Sequence, residues 1–205
     1  MPAETITSRV RTWLPLIAAA GVLAVAGVVA IPLGGWDTVV PESTIIPEHP
    51  VGEPFVSHRV STSIDDLYLT DVHPDGYSEP EPGETFLVLV ATMESETDRP
   101  EIPIASSSFY PFTIPGVIEL GVALDGTSYS TLLERDGNFG PVVVPGLADT
   151  LLFVFVVPSS GFADGDVVRI GLTDATPEEA DIIEGTRWVD VHIAVEVPIT
   201  VRDER

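Results

Sequence analysis

From residue 57 onward, apolar and polar side chains alternate in runs with a period of two, the spacing that sends successive side chains to opposite faces of a strand. The longest run is 187–201, where Val189, Val191, Ile193, Val195, Val197, Ile199 and Val201 alternate with Trp188, Asp190, His192, Ala194, Glu196 and Pro198. It predicts a long strand with one buried face. Pro198 has no N–H to donate, so that end belongs at a sheet edge. Further strands are expected at 61–72, 84–93, 109–114, 128–133, 149–157 and 167–172. The turn formers Pro74-Asp75-Gly76, Pro82-Gly83, Asp125-Gly126, Asp136-Gly137, Pro145-Gly146 and Asp164-Gly165 separate them. Two stretches, 86–90 and 151–157, are apolar at nearly every position, as in central strands covered on both faces or supporting a loop outside. A short helix is predicted at 176–184, with Thr176 as cap, Pro177 in the first turn and Glu179 completing a capping box. About seven strands with regular turns and little helix predict an antiparallel β-sandwich.

A different pattern precedes this. Residues 12–36 carry no charge, and 13–33 are almost wholly apolar. As a helix that stretch rises ~31 Å, enough to cross the hydrocarbon of a bilayer. Trp13 and Trp36 bracket it where indoles settle at the two interfaces, and Arg9 and Arg11 precede it while Asp37, Glu42 and Glu48 follow. The positive-inside rule then places the N-terminus in the cytoplasm and the rest outside. The expected organisation is a cytoplasmic 1–12, a transmembrane signal anchor at 13–36, a spacer at 37–56 and an extracytoplasmic domain at 57–205. A cleaved signal peptide is the competing reading, because Ala24-Val25-Ala26 has the small-x-small form of a cleavage site. Apolar character continuing past Ala26 favours the anchor. Pro41, Pro47, Pro50 and Pro54 make 37–56 a semi-extended stalk.

Charge narrows the chemistry. The 205 residues hold 32 acids against nine arginines, with no lysine and no cysteine, for a net charge of -23. Such a chain is not expected to hold nucleic acid. Schiff bases, phosphate-loop lysines, thiol nucleophiles and disulfides are excluded.

Residues 82–100 (PGETFLVLVATMESETDRP) and 145–158 (PGLADTLLFVFVVP) resemble the immunoglobulin-like domain of unknown function found in secreted antigens and membrane-anchored proteins of Gram-positive bacteria. The likeness spans about Val60 to Leu172. Glu94-Ser95-Glu96 stands where that family usually carries an asparagine. The resemblance implies an extracytoplasmic immunoglobulin-like sandwich after the transmembrane helix, and no particular activity.

Catalytic patterns are missing. There is no G-x-S-x-G and no glycine-rich phosphate loop, and His49, His58, His73 and His192 have no recognised zinc spacing. Asp65-Asp66 with Asp71 and Asp75, the group Glu79, Glu81 and Glu84, and Asp164-Gly165-Asp166 are calcium-type oxygen donors without an EF-hand pattern, and each reads as a solvated acidic turn. No metal or cofactor is therefore expected. Tyr68, Tyr77, Phe109, Tyr110 and Phe112 read as core filling, except Tyr77, which a turn at Asp75-Gly76 would expose as a surface contact. The expected function is a non-enzymatic interaction module, an accessory or assembly partner of another envelope or membrane protein. A calcium- or small-ligand-binding domain and a wall-directed hydrolase are the alternatives.

Overall fold

The computed structural model describes residues 45–100, 111–119, 122–124, 129–179 and 186–205. Arg9, Arg11, Trp13, Trp36 and the whole expected membrane segment lie outside them, as do Phe109 and Tyr110. All regular structure among the described residues is β. The strands are β1 (Phe55–Val56), β2 (Val60–Thr70), β3 (Glu84–Ser95), β4 (Phe112–Thr113), β5 (Ile118–Glu119), β6 (Val122–Ala123), β7 (Tyr129–Leu133), β8 (Asp149–Pro158), β9 (Val167–Glu179), β10 (Thr186–Thr200) and β11 (Arg202–Asp203).

They form two main sheets that pack as a β-sandwich. The larger has the order β1-β2-β3-β8-β7, with β11 added to β2, and the smaller β10-β9-β4. Pairing is antiparallel apart from β11, which lies parallel to β2. The core forms where the inner faces meet: Leu67, Leu87, Leu89, Phe153 and Phe155 of the larger sheet pack with Phe112, Ile170, Leu172, Val197 and Ile199 of the smaller. Phe112 and Phe153 meet edge to face, centroids 4.8 Å apart, joining the two layers.

β3 and β8 are the central strands, as their unbroken apolar runs require. Alternate residues of β3, Leu87 and Leu89, face the other sheet, while Phe86 and Val88 join Val154 of β8 and Leu132 of β7 in a second buried cluster on the far side.

The structure corrects two expectations. Residues 176–179 are not helical: they continue β9, pairing with Thr186 to Val189 of β10. The capping-box pattern is local and weak, and a twelve-pair ladder with β10 outweighs it. Residues 180–185 of that expected helix lie outside the described residues. The apolar row of β10 is also not one face. Ile193 pairs with Thr173 and Val195 with Leu172, neighbours on β9 that point to opposite sides, because Ala194 forms a bulge. A second bulge lies between Val189 and His192, and Asp190 there has φ of 55°. Pro198 does lie on an edge strand, β10.

Residues 46–56 of the expected stalk belong to the folded unit. The compact unit begins at Ile46. Glu196 N–H donates to Pro47 O at 2.9 Å and His49 N–H to Glu196 O at 2.8 Å, so residues 47–49 run parallel along β10. Arg169 Nη1 holds Glu48 at 2.6 Å, Gly52 N–H donates to Ile64 O, and Phe55 packs on the core. Prolines leave this strap few donors, and the His49 and Gly52 amides are spent on the two sheets.

Gly171 of β9 sits where a side chain would not fit. A Cβ there would collide with Thr113 Oγ1 and approach Ile193 Cγ2 to 2.9 Å. Gly171→Ala is expected to cost about 1–3 kcal/mol by overpacking. Phe153→Ala is expected to cost about 3–5 kcal/mol through loss of the inter-sheet contact. Urea unfolding of each variant against the parent measures both, and an unchanged midpoint in either refutes the packing described.

Candidate functional site

The second apolar cluster lies on the face of the larger sheet turned away from the smaller one, so something other than the partner sheet must cover it. Two segments do so. The first, between β2 and β3, is built around Pro74-Asp75-Gly76. Gly76 adopts φ of 76° and donates to His73 O at 2.8 Å, and Asp75 Oδ1 accepts from the N–H groups of Tyr77 at 2.8 Å and Ser78 at 3.2 Å. These bonds, the Tyr77 one foremost and reinforced by Ser78 and the nearby His73, hold the Asp75 carboxyl below its ordinary value against the opposing effect of desolvation. The second segment follows β7. Gly137 N–H donates to Leu133 O and Gly140 N–H to Thr131 O, which presents Phe139 between them.

His73 joins the two segments. Its ring is 6% exposed, sits edge-on to Phe86 with centroids 5.1 Å apart, and stacks on Phe139 at 6.4 Å. Nε2 lies 2.8 Å from Ser130 Oγ on β7, and Nδ1 lies 3.0 Å from Asp75 Oδ1 and 3.1 Å from the Asp75 N–H. Serine, histidine and aspartate in this sequence are the side chains of a nucleophilic triad. Nδ1 meets the Asp75 amide N–H as well as the Asp75 carboxylate, so the carboxylate does not hold the ring in a single tautomer as it does in a triad. Ser130 also lies within the β7–β8 ladder, opposite Val154, and not on a strained turn. The chemistry of this group is a latch that ties the β2–β3 loop to the sheet.

Beside the latch is a cleft of about 540 Å³. Phe86, Val154, Val156 and Phe139 supply apolar surface, and Asp75, Glu79, Glu81 and Glu84 supply carboxylates. Phe139 remains 61% exposed, and Tyr77, on the same loop as His73, is 94% exposed. The expected exposure of Tyr77 is thus what the structure has.

The other candidates separate. Phe112 is in the core, and Tyr68 lies half-buried under Arg202, 5.8 Å from ring centroid to guanidinium carbon. The aspartates of the other acidic groups are engaged locally. Asp65 accepts from Ser63 and Thr92, Asp66 pairs with Arg202, Asp71 accepts from Thr85, and Asp164 and Asp166 accept from the Asp203 and Ala163 amides. Among the described residues no three acid or histidine side chains are arranged to hold a metal ion. The histidines serve different places: His58 Nδ1 pairs with Asp174 at 3.0 Å, and His192 Nδ1 donates to Asp190 O at 2.7 Å. The pattern of the chain did not single out Ser130, or Phe139 between Asn138 and Gly140; they meet His73 through the fold, with Ser130 57 positions from it.

No family model and no curated protein matches this chain. Among solved structures it is similar to an uncharacterized β-sandwich protein from Clostridium difficile 630, at 12% identity and a TM-score of 0.43, covering 78% of this chain and 98% of that one.

The latch has a pH signature. A carboxyl held below its ordinary value of 3.8 stabilises the fold above that pH, and the contribution is lost as pH falls through the lower folded-state value. Asp75→Ala is expected to lower the melting temperature at neutral pH, with the gap to the parent closing in acid below that value. Melting curves of both proteins across this range measure it, and coincident curves at neutral pH refute it.

Proposed function

We propose that this chain is a membrane-anchored, extracytoplasmic interaction module, an accessory subunit that engages another envelope protein through the cleft on the outer face of its larger sheet. The observation that carries the reading is the cover of that face. The cover buries Phe86 and Val154 but stops short over Val156, which stays half-buried, leaving a cleft of about 540 Å³ between a latched loop and the exposed Phe139. That volume falls within the range of ligand-binding clefts.

The order of strands supports the family resemblance. Lettering β2, β3, β4, β7, β8, β9 and β10 as A to G turns the sheets into A-B-E-D and G-F-C, the arrangement of a constant-type immunoglobulin sandwich. Domains of that kind act through surfaces and loops. The apolar segment flanked by Arg9, Arg11, Trp13 and Trp36 supports anchoring with the N-terminus inside. The hydrolase reading is weaker, because Ser130 lies within the β7–β8 ladder and not on a strained turn. The calcium reading lacks convergent ligands among the described residues.

A photo-reactive residue placed at 139 in the full-length protein in cells is expected to capture a single stoichiometric membrane or envelope protein, and one placed at the exposed Val167 of the smaller sheet is expected not to. Adducts of equal yield at both positions, or none at 139, overturn the reading.

A further inference from the structure

Taking the cleft to be the binding face, we infer that its occupant is an extended basic segment of the partner, with arginines or lysines interleaved with apolar residues. Two features of the cleft set this chemistry. Its accessible apolar surface, formed by the exposed Phe139 and the half-buried Val156 over the buried Phe86 and Val154, requires hydrocarbon from the occupant. Its carboxylates, Glu79, Glu81 and Glu84, require positive charge. Glu79 and Glu81 are exposed and Glu84 is half-buried.

Among the described residues no arginine lines the cleft, the sequence has no lysine, and Arg135, Arg169, Arg202 and Arg205 are committed to Asp149, Glu48, Asp66 and Asp203. The negative charge is also spread out. These acids do not converge as ligands of one metal ion, so the match is to several cations carried along a chain and not to a single compact one. Lysine and arginine fit both demands, because their methylene stems lie on apolar surface while their charged heads reach the rim. A net charge of -23 would steer such a segment toward the domain, and the apolar surface would give it a fixed place.

The test uses the full-length protein in detergent and a short peptide of alternating arginine and leucine. Binding is expected to weaken with added salt. The triple change Glu79→Gln, Glu81→Gln and Glu84→Gln is expected to weaken it about tenfold, the combined effect of three exposed ion pairs. Phe139→Ala is expected to weaken it with the salt dependence unchanged. These substitutions leave the core intact, which melting curves check. Full affinity in the triple variant, equal binding of a glutamate–leucine peptide, or displacement by free arginine as effective as by the peptide would each overturn the inference. A partner captured at position 139 whose binding the triple variant does not impair would overturn this chemistry while leaving the cleft as the binding face; failure to capture any partner at 139 would overturn both.

Discussion

The structure depends on two adjacent strands that bury side chains on both faces. β3 and β8 pair over ten residues, from Glu84 opposite Pro158 to Met93 opposite Asp149, and neither can leave a face to water. On one side the requirement is met by the smaller sheet, whose Phe112, Leu172 and Val197 complete the core. On the other it has to be met by loops. Loops cover less completely than sheets, because their backbone polar groups need partners of their own. The cleft is therefore a product of the same apolar pattern that specifies the core.

The turns near the cleft serve that cover. Gly76 and Gly137 provide the left-handed conformations that fold their segments back over the sheet, and Asp75 satisfies the amides that the first turn exposes. His73 then joins the two segments through Ser130 and Phe139. A polar bond and an aromatic stack at one residue fix the loop more firmly than the apolar contacts alone, and they set the wall against which an occupant would lie.

Much of the fold was legible from residues whose signal is local. The apolar runs at 86–90 and 151–157 marked the central strands, and Pro198 marked an edge. The failures came where non-local pairing overrode a local preference. Thr176 to Glu179 read as a capping box and became strand because β10 offered a long ladder of twelve pairs, while the bulge at Ala194 moved Ile193 off the face that its spacing assigned. Residues 45–56 of the proline-rich stretch are not helical, yet a spacer and an edge strap have the same composition, and only the pairing with Glu196 and Ile64 tells them apart. Of the cleft, the acids were visible, as was the exposure of Tyr77 on the neighbouring loop. The latch was not, because His73, Ser130 and Phe139 share no spacing until the sheet brings them together.

The strap has a practical meaning for anyone who wants the domain in isolation. Residues 47–49 hydrogen-bond to β10 in the smaller sheet, while Gly52 and β1 hydrogen-bond to β2 in the larger, so eleven residues from Ile46 to Val56 stitch the two layers at one edge. A recombinant fragment started at Ser57, the boundary that composition suggests, would cut every one of these stitches and bare the edges of β2 and β10 to pairing between molecules. Moving the first codon back to Ile46 keeps these bonds to both edges. For expression, crystallisation or display, the usable domain begins inside the proline-rich stretch.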